Sequence, residues 1–196
     1  MKLSIIVPVY NMAADGKLEY CLDSLVNQTI SDYEIIAVDD CSTDNSWDIL
    51  QSYAEKYPDK FHNIHSEVNK KQGGAKNIGM GLARGEWIGF IDSDDWITPD
   101  FYERLIRKGE ETGADMVGCD YHLTGEHSMK IGQVVPNNKP EQTGVLTREK
   151  YRSLILDSGS LVVKVYRREI VIDHKSRFPE GIFYEDNALA NSWMLR

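Results

Sequence analysis

Long apolar stretches are missing from this 196-residue chain, and no run nears the roughly 18 residues that a membrane-spanning helix needs. Basic charge is also scarce: 22 Lys and Arg stand against 31 Asp and Glu, a formal net charge of −9. A polyphosphate backbone would be repelled overall, which argues against a nucleic-acid binder. A small anionic ligand then needs a bridging cation or a local basic spot. Cysteine is limited to Cys21, Cys41 and Cys119, scattered and odd in number, with no CxxC spacing. A reduced, cytosolic compartment is the expectation. The five histidines form no HxxxH or HxH pair and read as surface or core residues. No GxxxxGK phosphate loop exists, no GxGxxG follows the first apolar run, and no GxSxG appears. Met1 to Asn11 lacks an export-signal pattern.

What is present is globular. Hydrophobic residues make up 41% and charged residues 27%, too apolar for a disordered chain. A mass of 22.3 kDa corresponds to one ordinary domain with a small appendage, able to bury about 70% of its surface. The first 121 residues alternate between two periods. Leu3 to Val9, Tyr33 to Val38, Phe61 to His65, Glu86 to Ile91 and Ala114 to Tyr121 read as strands. Between them, Leu18, Cys21, Leu22 and Leu25, then Trp47, Leu50, Ala54 and Tyr57, recur at helical spacing. Ser42, Thr43 and Asp44 read as caps. A further helix follows a Gly73-Gly74 break and ends at Gly85, and another starts at Thr98-Pro99 with Pro at the first helical position and stops at Gly113. Four βα units predict an α/β fold, a mostly parallel sheet with helices on both faces. Beyond residue 121, His122 to Thr143 reads as a hairpin or long loop, Thr147 to Leu156 as a helix, and Leu161 to Tyr166 as a strand. The soft boundary falls between a nucleotide-type half, 1–121, and an accessory half, 122–196.

Ligands of such sheets bind beyond the carboxyl ends of the strands. Carboxylates gather there. Asp39-Asp40 ends the second strand, and Asp92-Ser93-Asp94-Asp95 ends the fourth. Packed acids repel one another unless a cation joins them, and oxygen-only ligands select Mg²⁺ or Mn²⁺. The implied site runs from protein acids through a cation to an anionic ligand. Asp39-Asp40 alone reads equally well as a turn and cap. Lys70, Lys71 and Lys76 read as solvated lysines or as phosphate contacts. Glu185-Asp186 offers a general base, or a first-turn carboxylate stabilised by the helix dipole.

Five pieces in order carry a resemblance: IIVPVYN at Ile5 to Asn11, CLDSLVNQT at Cys21 to Thr29, VDDCSTDNS at Val38 to Ser46, GGAKNIGMGLARGEWIGFIDSDDW at Gly73 to Trp96, and YEDNAL at Tyr184 to Leu189. Together they resemble the family 2 glycosyltransferases. The resemblance implies the GT-A fold, a Rossmann-like, mostly parallel sheet with a smaller accessory region. It also implies an inverting transfer of a sugar, hexosyl in type, from a nucleotide-sugar donor, UDP-linked, to a glycan or lipid-linked acceptor in cell-surface polysaccharide assembly. Pro8 and Tyr10 would line the base pocket, and Asp40, with Asp39 beside it, would accept a hydrogen bond from the base. Lys76 stands where the family more often has arginine. Asp92 and Asp94 would serve the donor, Asp94 and Asp95 the Mn²⁺ or Mg²⁺. Asp186 would be the catalytic base, supported by Glu185. The implied setting is cytoplasmic, at the inner face of the membrane, with peripheral membrane association. The QxxRW sequence of processive members is absent, which argues against a polymer synthase. Family members often continue past the position of Arg196, so a truncated C-terminal segment is expected. Two other readings fit the acids: a Mg²⁺-dependent phosphatase or phosphotransferase of the DxD type, and a non-catalytic nucleotide-sugar-binding module.

Overall fold

Seven consecutive residues, LSIIVPV, leave no polar face, so the strand they form must be covered on both sides and paired on both edges. The computed structural model places it so. It describes residues 1–125, 130–137, 139–145, 147–156, 160–173 and 177–183. Strand β1 (Leu3–Val9) is buried along its whole length. It pairs in parallel with β2 (Tyr33–Asp39) on one edge and with β4 (Trp87–Phe90) on the other. Pro8 lies in this central strand without loss. Ile6 faces β4, its carbonyl accepting from Ile91 N–H at 3.1 Å. Pro8, two residues on, faces the same edge where the ladder has already ended, so its missing N–H is not needed.

The remaining strands extend the sheet. β3 (Phe61–His65) pairs in parallel outside β2. Beyond β4 the direction changes: β8 (Lys164–Arg167) is antiparallel to both β4 and β5 (Met116–Gly118), giving the order β3-β2-β1-β4-β8-β5. The sheet is mixed and mostly parallel, as expected. The 122–196 segment supplies β8, which sits inside this sheet. The single strand expected over Ala114 to Tyr121 is instead two. β5 ends at Gly118, Cys119 N–H bonds to the Val163 carbonyl, and Asp120 accepts from Asn137 N–H at 2.7 Å. The chain then turns into a separate hairpin of β6 (Tyr121–Thr124) and β7 (Ile131–Val135). The expected helix at Thr147 to Leu156 is α5 (Arg148–Leu156).

Helices cover both faces. α1 (Lys17–Val26), α2 (Ser46–Lys56) and α4 (Phe101–Thr112) press Leu18, Leu22, Leu50 and Leu105 onto Leu3, Ile5 and Val7. On the other face α3 (Lys71–Leu82) and the helical turn Glu169–Asp173 press Ala75, Met80 and Val171 onto Ile6, Ile88 and Phe90. Two helix starts differ from expectation. α4 begins at Phe101 behind Asp100, so Pro99 precedes the helix and gives its carbonyl to Thr29 N–H at 2.8 Å. Gly73-Gly74 is no break; both glycines lie inside α3. At Gly79 the reason for glycine is close approach. A Cβ on Gly79 would come within 2.5 Å of Ile6 Cγ2 in the buried central strand.

The amino edge of the sheet is tied by a polar cluster that sequence reading did not find. Glu34, 1% exposed, accepts from Ser4 Oγ at 2.6 Å, from Arg84 N–H at 2.9 Å and from Arg84 Nε at 2.9 Å. Ser4 Oγ in turn accepts from Gly85 N–H at 2.8 Å. Burial works to raise the Glu34 carboxyl, but the Arg84 guanidinium and these hydrogen bonds outweigh it and hold it below the ordinary carboxylate range. The three strands β1, β2 and β4 are thereby stapled at their starts.

Two outcomes follow. Glu34→Gln should destabilise the fold by about 1–2 kcal/mol at pH 7, through loss of charge-assisted hydrogen bonds. Because the folded-state carboxyl is depressed, that contribution is complete above the ordinary glutamate value of about 4.3 and fades as pH falls below it. Urea midpoints of the two proteins should therefore converge in acid. Gly79→Ala should cost about 1–3 kcal/mol despite the higher helix propensity of alanine. Gly81→Ala, in the same helix with nothing within 4 Å of the new Cβ, should instead gain about 0.5–1 kcal/mol. Thermal melts of the pair decide it.

Candidate functional site

Parallel pairing levels the carboxyl ends of β1 and β2, with Val9 opposite Asp39, and Asp40 N–H bonds to the Val9 carbonyl at 2.8 Å. β4 stops at Phe90, and the chain leaves as Asp92 to Asp95. Between these ends lies a cavity of about 630 Å³. Five of the predicted site residues meet in its lining, Pro8, Tyr10, Asp40, Asp92 and Asp94, joined by Lys71, which the sequence offered as a phosphate contact or a solvated lysine. Tyr10 is 47% exposed, a ring standing free at the mouth.

Three predicted residues stand elsewhere. Asp39 is fully buried and does not line the cavity; its Oδ2 lies 2.7 Å from His65 Nδ1 and accepts from Ser42 N–H at 3.2 Å. Successive strand residues point to opposite sides, so Asp39 and Asp40 cannot share one pocket. Lys76 is buried, with Nζ 5.4 Å from the Phe178 ring centroid and 3.5 Å from Gln72 Oε1, and is not among the lining residues. Asp95 faces a second, larger groove of about 1340 Å³. That groove runs between the loop after β4, α4 and the β6–β7 hairpin, and Asp92 and Asp94 line both spaces. Glu185 and Asp186 lie outside the described residues.

The loops are held by their own polar side chains. Asn11 adopts φ 52°, a left-handed conformation that asparagine tolerates. Its Oδ1 accepts from Thr43 N–H at 2.8 Å, while Asn11 N–H bonds to Ser42 Oγ at 2.9 Å. Met12 N–H bonds to Ser46 Oγ, and Ala13 N–H to Asp44 Oδ2. The STDNS stretch thus clasps the chain after β1 as well as starting α2, where Asp44 Oδ1 accepts from Ser46 N–H. Behind the cavity, Asp40 Oδ1 accepts from Lys70 N–H at 2.8 Å, and Asn69 donates Nδ2–H to the Asp40 carbonyl. The N-terminus of α3 is therefore anchored on the predicted base-binding residue.

Sequence reading missed Met12, Asn69, Gln72, Ala75, Ile182 and Phe183 in the lining. Asn69 carried a legible signal, an Asx-type turn just before a helix. Phe183 carried none; it reaches the cavity through tertiary packing, its ring 5.1 Å from Lys71 Nζ.

Burial pushes the Asp40 carboxyl up, aided by Asp39 and opposed by the N–H groups of Lys70 and Lys71. Desolvation against the groove, with the charges of Asp92 and Asp94, pushes Asp95 up to about 6, although the residue stays open to solvent on one side. Among the described residues no three His, Cys, Asp or Glu side chains form a closed metal cage. The donor set nevertheless fits a hard divalent cation. Asp94 and Asp95 are adjacent, solvent-open and all-oxygen, and their crowding is relieved by positive charge. A Mg²⁺-type ion characteristically takes few protein carboxylates and completes its shell from water and phosphate.

Comparison with known proteins agrees with this arrangement. YibD of Escherichia coli, described as an uncharacterized glycosyltransferase, is 32% identical over 98% of this chain and 56% of its own length. A poly(ribitol-phosphate) beta-glucosyltransferase of Bacillus spizizenii is 45% identical over 93% of this chain and 27% of its own. The crystal structure of S. aureus TarS 1-349 in complex with UDP superposes with a TM-score of 0.77 at 27% identity, covering 100% of this chain and 55% of that one. The chain thus spans about half the length, or less, of these proteins, and the GT-A arrangement is the one observed. Residues 4–174 match the description "Glycosyl transferase family 2", a span that takes in every strand bordering the cavity and the loop after β4. The chain belongs to glycosyl transferase family 2.

Proposed function

We propose that this chain binds a nucleotide-sugar donor, UDP-linked, and transfers its sugar with inversion to a hydroxyl of a glycan or lipid-linked acceptor in cell-surface polysaccharide assembly. One observation carries the reading: the cavity at the carboxyl edge, with Tyr10 and Asp40 on one side and Asp92 and Asp94 on the other. S. aureus TarS, similar in fold and sequence, has been crystallised with UDP and with UDP-GlcNAc. Tyr10 supplies a flat face on which a base stacks, and Pro8 closes the pocket beside it. The Asp40 carboxylate keeps acceptor capacity for a base N–H beyond its bonds to α3. Lys71 lines the cavity and is placed to meet phosphate, whereas Lys76 steadies α3 against Phe178 from behind. Asp94 and Asp95 are the residues that would hold a Mn²⁺ or Mg²⁺, and such an ion would supply positive charge against the departing diphosphate. Asp186 takes the proton from the attacking hydroxyl, with Glu185 in support. Among the described residues no helix is long and apolar enough to cross a membrane. We assign the reaction to the cytoplasmic face of the membrane.

Calorimetry with UDP should show at least tenfold tighter binding with Mn²⁺ than without, and Asp94→Asn with Asp95→Asn should abolish the difference. Equal affinity with and without the ion overturns the metal-bridged donor. Asp186→Asn should lower turnover about 10²–10⁴-fold, the usual worth of a general base, with UDP affinity unchanged. Undiminished turnover removes Asp186 from the role.

A further inference from the structure

The larger groove has one wall whose charge is opposite to that of the chain. α4 buries Tyr102, Leu105, Ile106 and Gly109. The helical period then carries Arg104, Arg107, Lys108 and Glu111 together to the other side, where they line the groove as three cations against one carboxylate. In a chain of net charge −9 this is a local exception. Neighbouring carboxylates hold these cations only weakly. Arg104 lies 3.6 Å from Asp100 and Arg107 lies 3.9 Å from Glu111, both exposed pairs one helical turn apart. The guanidinium groups are therefore free to turn toward an incoming anion without breaking a buried contact.

The junction of the two spaces fixes the direction of approach. Asp92 and Asp94 line both, so a molecule in the groove meets the cavity at these two carboxylates. On the glycosyl-transfer reading, an inverting displacement brings the attacking hydroxyl to the sugar face opposite the leaving diphosphate, and the groove is the space through which it would arrive. Near the junction, Trp96, packed edge-on against Tyr20 at 5.1 Å, and Phe101 offer apolar faces to a carbon skeleton. From Phe101 the cations follow along α4, each residue about 1.5 Å further from the helix start.

We propose that this groove receives the acceptor and that the acceptor carries phosphate groups, gripped by Arg104, Arg107 and Lys108. The inference rests on the glycosyl-transfer reading. Arginine forks match phosphate oxygens in pairs, a stronger partner than the exposed Asp100 and Glu111 carboxylates and one that a neutral saccharide does not supply. The phosphate comes from one of two sources: a polyol-phosphate chain, or the diphosphate of a lipid-linked saccharide.

The test titrates the protein at low salt with a short glycerol-phosphate oligomer, a short-chain isoprenoid diphosphate sugar and a neutral oligosaccharide. Arg104→Gln/Arg107→Gln/Lys108→Gln is titrated alongside, and UDP with Mn²⁺ is measured separately on both proteins. At least one phosphate probe should bind, lose tenfold or more in the variant, and weaken as salt rises, while UDP affinity stays within twofold. The probe that loses affinity names the source. The salt dependence of the unmodified protein reads the same interaction should the variant fail to fold. The proposal is overturned if neither phosphate probe binds, if both bind the variant unchanged, or if the neutral saccharide binds as tightly as they do. Failure of UDP to bind, with the phosphate response intact, overturns the donor reading and leaves the basic wall as an anion site.

Discussion

Parallel pairing of β1 on both edges is the constraint on which the rest depends. A central strand with no polar face must be flanked, and its neighbours β2 and β4 run the same way, so all three chains leave the sheet at one edge. Their exits supply Tyr10, Asp40 and Asp92, and no further device is needed to bring these side chains to one cavity. Pro8 fits the same logic: it is tolerated in the middle of the sheet because β4 stops short of it. Shortening β4 frees that edge and also opens room for the aspartate loop.

Much of this was legible because the signals were local. The apolar run of β1, the strand before Asp39 and the helical spacing of Leu18 to Leu25 each state their structure within a few residues. The edge on which the acids gather followed from the βα alternation. What could not be read was non-local. β8 enters the sheet between β4 and β5 from far along the chain, and the hairpin separates from β5 where Asp120 and Asn137 meet. Gly73-Gly74 looked like a break because glycine weakens helices, yet both lie inside α3, whose Ala75 and Met80 are packed in the core of that face. The separation of Asp39 from Asp40 was within reach of the alternation rule; what β3 would place beside Asp39 was not.

The fate of the paired aspartates also explains how an acidic rim is tolerated. Asp39 is withdrawn into a bond with His65, so β2 offers one carboxylate to the cavity rather than two. Asp40 is held from behind by the start of α3. At the other rim, Asp94 and Asp95 remain wet, where water moderates their repulsion. The acids are thus distributed among a buried hydrogen bond, a helix start and solvent.

The Ser4–Glu34–Arg84 staple lies at the opposite end of the same three strands. Its placement separates what keeps the sheet assembled from what meets a ligand. Residues on the ligand edge can drift without loosening the strands, which remain fastened at their beginnings. A scaffold so divided lends itself to diversification by loop exchange: new pockets can be tried on one rim while the other preserves the architecture that makes each trial foldable.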